Sequence, residues 1–175
     1  MSYFFLYFSV FLISAVLGMK YQKHYRKEEG VRTLNKLFWI LLIIGVPAFL
    51  ACIRSGIGED YSNYEEMFEL AEADSNLFFY YFSNIEIGNW FLIKIGYFMF
   101  GEVQGVFCLY TIITMVLLVA TVLYYVDRIP MFVSIIILYI LYYPASYNTL
   151  RQILAASIIL FALRFIEKKK LGNFL

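Results

Sequence analysis

The sequence predicts an all-α integral membrane protein: a single polytopic bundle (residues 1–175) of about five transmembrane helices, with one or more amphipathic helices in the first outer loop, residues 54–103. Three observations predict it. The chain of 175 residues is 62% hydrophobic and 21% aromatic but only 15% charged, with a mean hydropathy of +0.73. A water-soluble domain of that size cannot hide so much apolar surface, whereas a bilayer accommodates it. Apolar runs recur at lengths near the roughly 20 helical residues that span a hydrocarbon core about 30 Å thick. Charge is sorted by segment rather than mixed. The net charge of +1 says nothing about nucleic acid, but no basic stripe with interleaved aromatics appears, so no nucleic-acid partner is expected.

Five runs are candidates for crossings. Residues 3–18, 37–53, 105–126 and 153–166 with its flanks come first; residues 131–147 form a shorter one with Pro144 near its end. The first run carries no Lys or Arg ahead of it, so it is not a signal peptide. Loop charge sets the orientation. Residues 20–36 hold Lys20, Lys23, Arg26, Lys27, Arg32 and Lys36 against Glu28 and Glu29, which marks an inner loop. Residues 54–103 hold Glu59, Asp60, Glu65, Glu66, Glu69, Glu72, Asp74, Glu86 and Glu102 against Arg54 and Lys94, which marks an outer one. Lys168, Lys169 and Lys170 return inside.

The apolar segment 89–100 decides the parity. It is short, and Lys94 at its centre costs roughly 2.5 to 3.5 kcal/mol on insertion scales. If it crossed, Lys168–Lys170 would lie outside. It is therefore expected to be an interfacial helix, with Lys94 snorkelling and Trp90 and Tyr97 at headgroup level; the alternative is a short tilted crossing. Asp127 and Arg128 then form an inner turn, residues 147–152 an outer one. Arg54, Asp60, Glu86 and Arg151 all face one compartment.

The residues 54–64, RSGIGEDYSNY, are a compact polar loop directly after an apolar run. Polar residues at such a boundary have little packing to do, which favours binding or chemistry at the membrane surface. Gly56 and Gly58 permit positive φ and close approach to a ligand. Ser62 with Glu65 fits a capping box, leaving Asp60 free; the alternative is Asp60 as the cap. A helix from about Asn63 places Tyr64, Phe68 and Ala71 on one stripe and Glu65, Glu66, Glu69 and Glu72 in water. Arg151 follows a Pro-Ala-Ser-Tyr-Asn turn, and guanidinium forks match phosphate oxygens in paired hydrogen bonds. Arg54 and Arg151 with an acidic residue between them point to a phosphate-bearing ligand, against the plainer reading of Arg151 as an interfacial anchor.

Other features read as structural. Tyr139, Tyr142, Tyr143 and Tyr147 are expected to form an aromatic belt. Ala155, Ala156 and Ser157 suit close helix contact. Cys52 and Cys108 lie inside apolar runs and read as small buried hydrophobes. His24 lacks partners at ligand spacing, so no metal site is expected.

At these residues the chain resembles the EpsG family of bacterial membrane proteins, which are similar to the Wzy-type polymerases of exopolysaccharide and O-antigen assembly. The first family signature, an Arg, spaced glycines, Asp-Tyr and a further Tyr, is matched by Arg54, Gly56, Gly58, Asp60, Tyr61 and Tyr64. A glutamate-glycine pair follows at Glu86 and Gly88. The second signature, Asn-x-x-Arg-Gln and small residues, is matched by Asn148, Arg151, Gln152, Ala155 and Ala156. The resemblance runs from Leu37 onward. Family members continue for several more helices, so the chain is expected to be the front portion of a longer protein.

The resemblance implies a glycosyltransferase at the outer face of the bacterial cytoplasmic membrane. It would join oligosaccharide repeat units carried on polyprenyl pyrophosphate, beside other membrane proteins of polysaccharide assembly, and without a cofactor. Arg54, Arg151 and Gln152 are then the candidates for the departing pyrophosphate. Asp60 is the candidate for the hydroxyl proton, with Glu86 in reserve. Gly56, Gly58, Tyr61, Tyr64 and Asn148 are the candidates for the sugar-binding loop. A transporter or channel subunit would instead carry ionisable residues deep in its crossings, and these runs are clean in the middle. A non-catalytic scaffold would use the outer loop only to dock a partner.

Overall fold

The computed structural model describes residues 2–27, 33–53, 56, 58, 60–73, 86–145 and 148–168. Among these residues there are seven helices and no strand: α1 (Ser2–Lys27), α2 (Thr33–Cys52), α3 (Tyr61–Ala73), α4 (Ile87–Phe100), α5 (Val103–Tyr124), α6 (Met131–Tyr142) and α7 (Leu150–Glu167).

Five of them, α1, α2, α5, α6 and α7, run back and forth between two ends of the molecule. At one end, Gln22 of α1 clasps the turn after α5: its Nε2 donates to the Val126 carbonyl at 2.8 Å, and its Oε1 accepts from the Met131 N–H at 2.9 Å. Arg128 in that turn pairs with Glu167 at the foot of α7, at 3.1 Å. At the other end, Cys52 closes α2 and α3 and α4 are packed on the start of α5. Lys20, Lys23, Lys36, Arg128, Arg164 and Lys168 gather at the first end. Asp60, Glu65, Glu66, Glu69, Glu86 and Glu102 gather at the second.

Three helices are long and apolar enough to cross a membrane: Phe5–His24, Leu34–Cys52 and Val103–Tyr124. The other two expected crossings fall short of that standard. α6 has 12 residues, about 18 Å of helix, and Pro144 follows shortly after its end. α7 has 18 residues, but Arg151, Arg164 and Glu167 stand near its ends. The bundle turns large apolar side chains outward: Leu34 is 74% exposed, Phe49 68% and Leu141 62%. A surface of that kind needs lipid around it.

The core falls into two clusters. The larger joins α1, α2, α5 and α6 through residues such as Phe11, Ile43, Leu118, Ile135 and Tyr139. The smaller joins α3, α4, the first turns of α5 and the start of α7 through Tyr64, Phe68, Ile93, Phe107, Tyr110 and Leu150. α4 crosses α5 closely because Gly96 has no side chain; a Cβ there would lie 3.0 Å from the backbone of Val106. As the hydrophobic pattern of α3 predicts, Tyr64 and Phe68 are buried while Glu65, Glu66 and Glu69 are exposed.

Two expectations need correction. Tyr139 and Tyr143 are not a surface belt; they are 1% and 0% exposed. Pro47, inside α2, has no N–H for the carbonyl of Ile43. The Tyr139 hydroxyl donates to that carbonyl at 3.1 Å, and the Tyr143 hydroxyl donates to the Pro47 carbonyl at 2.7 Å. Lipid offers no donors, so a neighbouring helix supplies them. Tyr142 is half-buried, and Tyr147 lies outside the described residues. Cys52 and Cys108 are not free buried thiols either: they form a disulfide with Cα atoms 4.5 Å apart. Their separation of 56 residues carries no pattern; they meet because the end of α2 packs beside the second turn of α5.

Both corrections generate predictions. Tyr139→Phe is expected to cost about 1 kcal/mol in detergent unfolding, since the Ile43 carbonyl loses its donor. In a Pro47→Ala background the restored N–H at position 47 replaces that donor, and the cost should shrink; an unchanged cost would show the pairing to be incidental. Mass spectrometry after denaturation should find no alkylated cysteine without reductant and two with it.

Candidate functional site

The polar end is assembled on the aromatic face of α5. Gly56 and Gly58 have φ of +63° and +113°, as the spacing predicts, and turn the chain toward α3. Arg54, in the same signature, lies outside the described residues. α3 begins at Tyr61, and the Asp60 carbonyl accepts the Tyr64 N–H at 3.2 Å. Asp60 therefore flanks the helix as its cap residue, in place of Ser62. It precedes the first helical turn, where aligned peptide dipoles favour a carboxylate. Its Oδ1 accepts from Asn63 Nδ2 at 3.3 Å.

Tyr61 and Tyr64 spend their rings on α5. Tyr61 stacks on Phe107 with centroids 4.9 Å apart, and its hydroxyl accepts from Gln104 at 3.2 Å. Tyr64 meets Phe107 and Tyr110 edge-on. What Tyr64 offers the site is its hydroxyl, which lies close enough to Arg151 for the guanidinium to act on it. Burial pushes that hydroxyl above its ordinary range against the pull of Arg151, so it remains a neutral phenol at working pH.

Arg151 lies at the start of α7, 65 residues from Glu86, yet its Nη1 donates to Glu86 Oε2 at 2.5 Å. The chain thus brings Tyr64, Glu86 and Arg151 to one point, with Asp60 close enough for its charge to act on Tyr64. The Arg151 side chain is 40% exposed, and its fork carries more donors than Glu86 uses. Glu86 is held below the usual carboxylate range first by its own backbone N–H, and also by Arg151, against the opposing effect of partial burial.

Two residues of the site had escaped notice as such. Asn89 is 5% exposed, and its Oδ1 accepts from the Tyr110 hydroxyl at 2.5 Å; its Nδ2 reaches the sulfur of Met67 at 3.5 Å. The one signal was an amide inside an apolar segment, which needs a partner once buried. Tyr110 gave none. Beside this pair opens a groove of about 540 Å³ between α4 and α7. Glu86, Asn89, Arg151 and Gln152 stand at its polar part, with Tyr110 alongside. Gln152 is exposed there, and Asn148 sits in the preceding turn, where its N–H donates to the Ala145 carbonyl at 3.1 Å. Among the described residues no cluster of His, Cys, Asp and Glu is arranged to hold a metal ion.

Among the described residues the protein is all-helical, and its three long apolar helices suit a membrane protein. A family model matches residues 37–175, and the chain belongs to the EpsG family, a family of polysaccharide polymerases. No curated protein and no solved structure matches the chain.

The Glu86 shift carries a sign. A lowered carboxyl contributes stability that is fully present above the ordinary value of 4.5 and is lost as pH falls through the folded value below it. Both partners are solvent-screened, so the contribution is under about 1 kcal/mol. The difference in thermal stability between wild type and Glu86→Gln should be constant from pH 7 to 5 and vanish in stronger acid.

Proposed function

We propose that the protein is a membrane glycosyltransferase that polymerises oligosaccharide repeat units carried on polyprenyl pyrophosphate, for exopolysaccharide or capsule. In this reading it lies in the bacterial cytoplasmic membrane, all five long-axis helices cross, and α4 rests in the outer interface. The end bearing Arg151 faces outward. Sorting of Lys and Arg to the opposite end supports that orientation, and so does the disulfide, which belongs to an oxidising compartment. Other membrane proteins of polysaccharide assembly are its expected neighbours.

The observation that carries the reading is the convergence of Arg151, Glu86 and Tyr64 from three distant elements. In the reaction, a sugar hydroxyl oxygen of one repeat unit attacks the anomeric carbon of another. The bond from that carbon to the pyrophosphate oxygen breaks, and the hydroxyl proton passes to a carboxylate. The lipid pyrophosphate leaves with the extra negative charge, which Arg151 stabilises with Gln152 beside it. Arg54, in the same signature, is the second candidate cation. Asp60 is the proton acceptor. Glu86, lowered and tied to the guanidinium, is weakly basic and serves to position Arg151. Gly56, Gly58, Tyr61, Tyr64 and Asn148 shape the loop and turn that receive the sugar.

In the full-length protein, Asp60→Asn and Arg151→Ala should each lower polymer formation about a hundredfold or more while leaving the protein in the membrane. Wild-type polymer from both variants would overturn the assignment. Glu86→Gln should retain more activity than either.

A further inference from the structure

We infer that the groove between α4 and α7 is the seat of the lipid carrier's prenyl chain, entered sideways from the bilayer; this rests on the function proposed above. The groove is graded along its length. Its polar part carries Arg151, with Glu86 as partner. Its remaining wall is Gly88 and Leu92 from α4 and Leu154, Ala155 and Ile158 from α7. From Arg151 to Ile158, α7 advances about 10 Å, from the polar end toward the middle of the bundle. That is the gradient of a lipid anchored at an interface: an anionic head at the boundary and hydrocarbon running inward.

The gradient selects among ligands. A soluble sugar phosphate has nothing to place against Leu92 and Ile158. A helix packed into the groove would cover the apolar wall but would have to bring its own anionic side chain to meet the donors that Glu86 leaves free on Arg151. An unbranched acyl chain lacks the methyl branches that would fill the hollow at Ala155. Ala155 is the small residue in the α7 wall, exposed to the groove, and its methyl group leaves the room that a larger side chain would take. Ile158 is 50% exposed and forms the lipid-side rim. Ile159, 59% exposed, is its neighbour in sequence but does not line the groove.

Two measurements on the full-length protein test this. In the first, polymerisation is compared between a repeat unit on a long polyprenyl pyrophosphate and the same unit on a ten-carbon prenyl pyrophosphate. Ala155→Phe should lower the long-to-short ratio of kcat/KM about tenfold, the effect of losing a few buried methylenes. Ile159→Phe should leave the ratio at the wild-type value. A ratio unmoved by Ala155→Phe, or moved equally by Ile159→Phe, overturns the groove as the chain seat.

In the second, a diazirine-tagged polyprenyl diphosphate without sugar is photolysed with the protein in phosphatidylcholine vesicles. Adducts should fall on Leu92, Leu154 and Ile158. Unlabelled polyprenyl diphosphate should compete for them, and phosphatidylglycerol should not. Equal competition by phosphatidylglycerol would make the groove a place for ordinary lipid and overturn the proposal. Groove adducts from a protein that forms no polymer would keep the seat and reject the glycosyl transfer. Polymer formed without groove adducts would do the reverse.

Discussion

The polar end of the molecule rests on the burial of one aromatic face, that of α5 between Val103 and Tyr110. Tyr61 and Tyr64 pack on Phe107, Ile93 packs among the same residues, and Leu150 completes the cluster. None of the site residues is fixed by local sequence alone. Arg151 has its position because Leu150, one residue earlier, is sunk in that cluster. Asn89 has its position because Gly96 lets α4 lie against Val106. Burying large side chains such as these stabilises by roughly 1.5 to 3 kcal/mol each. That is enough to hold an exposed ion pair that is itself worth little. α5 contributes buried residues to both clusters, and the Cys52–Cys108 disulfide ties it to α2 close to the point where it passes from one to the other.

The physics that made this chain legible as a sequence is the physics of water and hydrocarbon. Composition, run length and charge sorting announced helices, their order and the alternation of the ends. The period of α3 announced which of its faces is buried. The spacing of Gly56 and Gly58 announced backbone that favours glycine. What stayed hidden depends on encounters between distant residues. Nothing near Tyr139 shows that Pro47, 92 residues earlier, leaves a carbonyl for it. The disulfide is of the same kind, since two cysteines in separate apolar runs look like two small hydrophobes until the runs are placed side by side. Among the site residues, Arg151 and Glu86 were legible as charged groups at boundaries. Their shared compartment is expected once the parity of the crossings, which turns on Lys94, is decided; their pairing is seen only in the structure.

The start of α3 shows how finely such readings balance. Ser62 with Glu65 matches a capping box, and Asp60 is an equally good cap two residues earlier. Local hydrogen bonding does not separate them. The helix starts at Tyr61, whose ring stacks on Phe107 of α5. The consequence reaches the chemistry: the Asp60 carboxylate stands just ahead of the helix, close enough for its charge to act on Tyr64.

The two carboxylates near that fork are then suited to different work. A carboxylate bound directly to a guanidinium is stabilised as an anion, which lowers its appetite for a proton and makes it a poor general base at neutral pH. It is well suited to holding the guanidinium still. Glu86 is of that kind, whereas Asp60 accepts from Asn63 ahead of α3 and is not the partner of the guanidinium. The neutral Tyr64 hydroxyl lies beside the fork without adding charge, so the cation keeps its capacity to meet an incoming diphosphate. An arrangement in which both carboxylates bound Arg151 directly would neutralise the only property that makes an arginine useful at a membrane surface, and the separation of Asp60 from the pair avoids that.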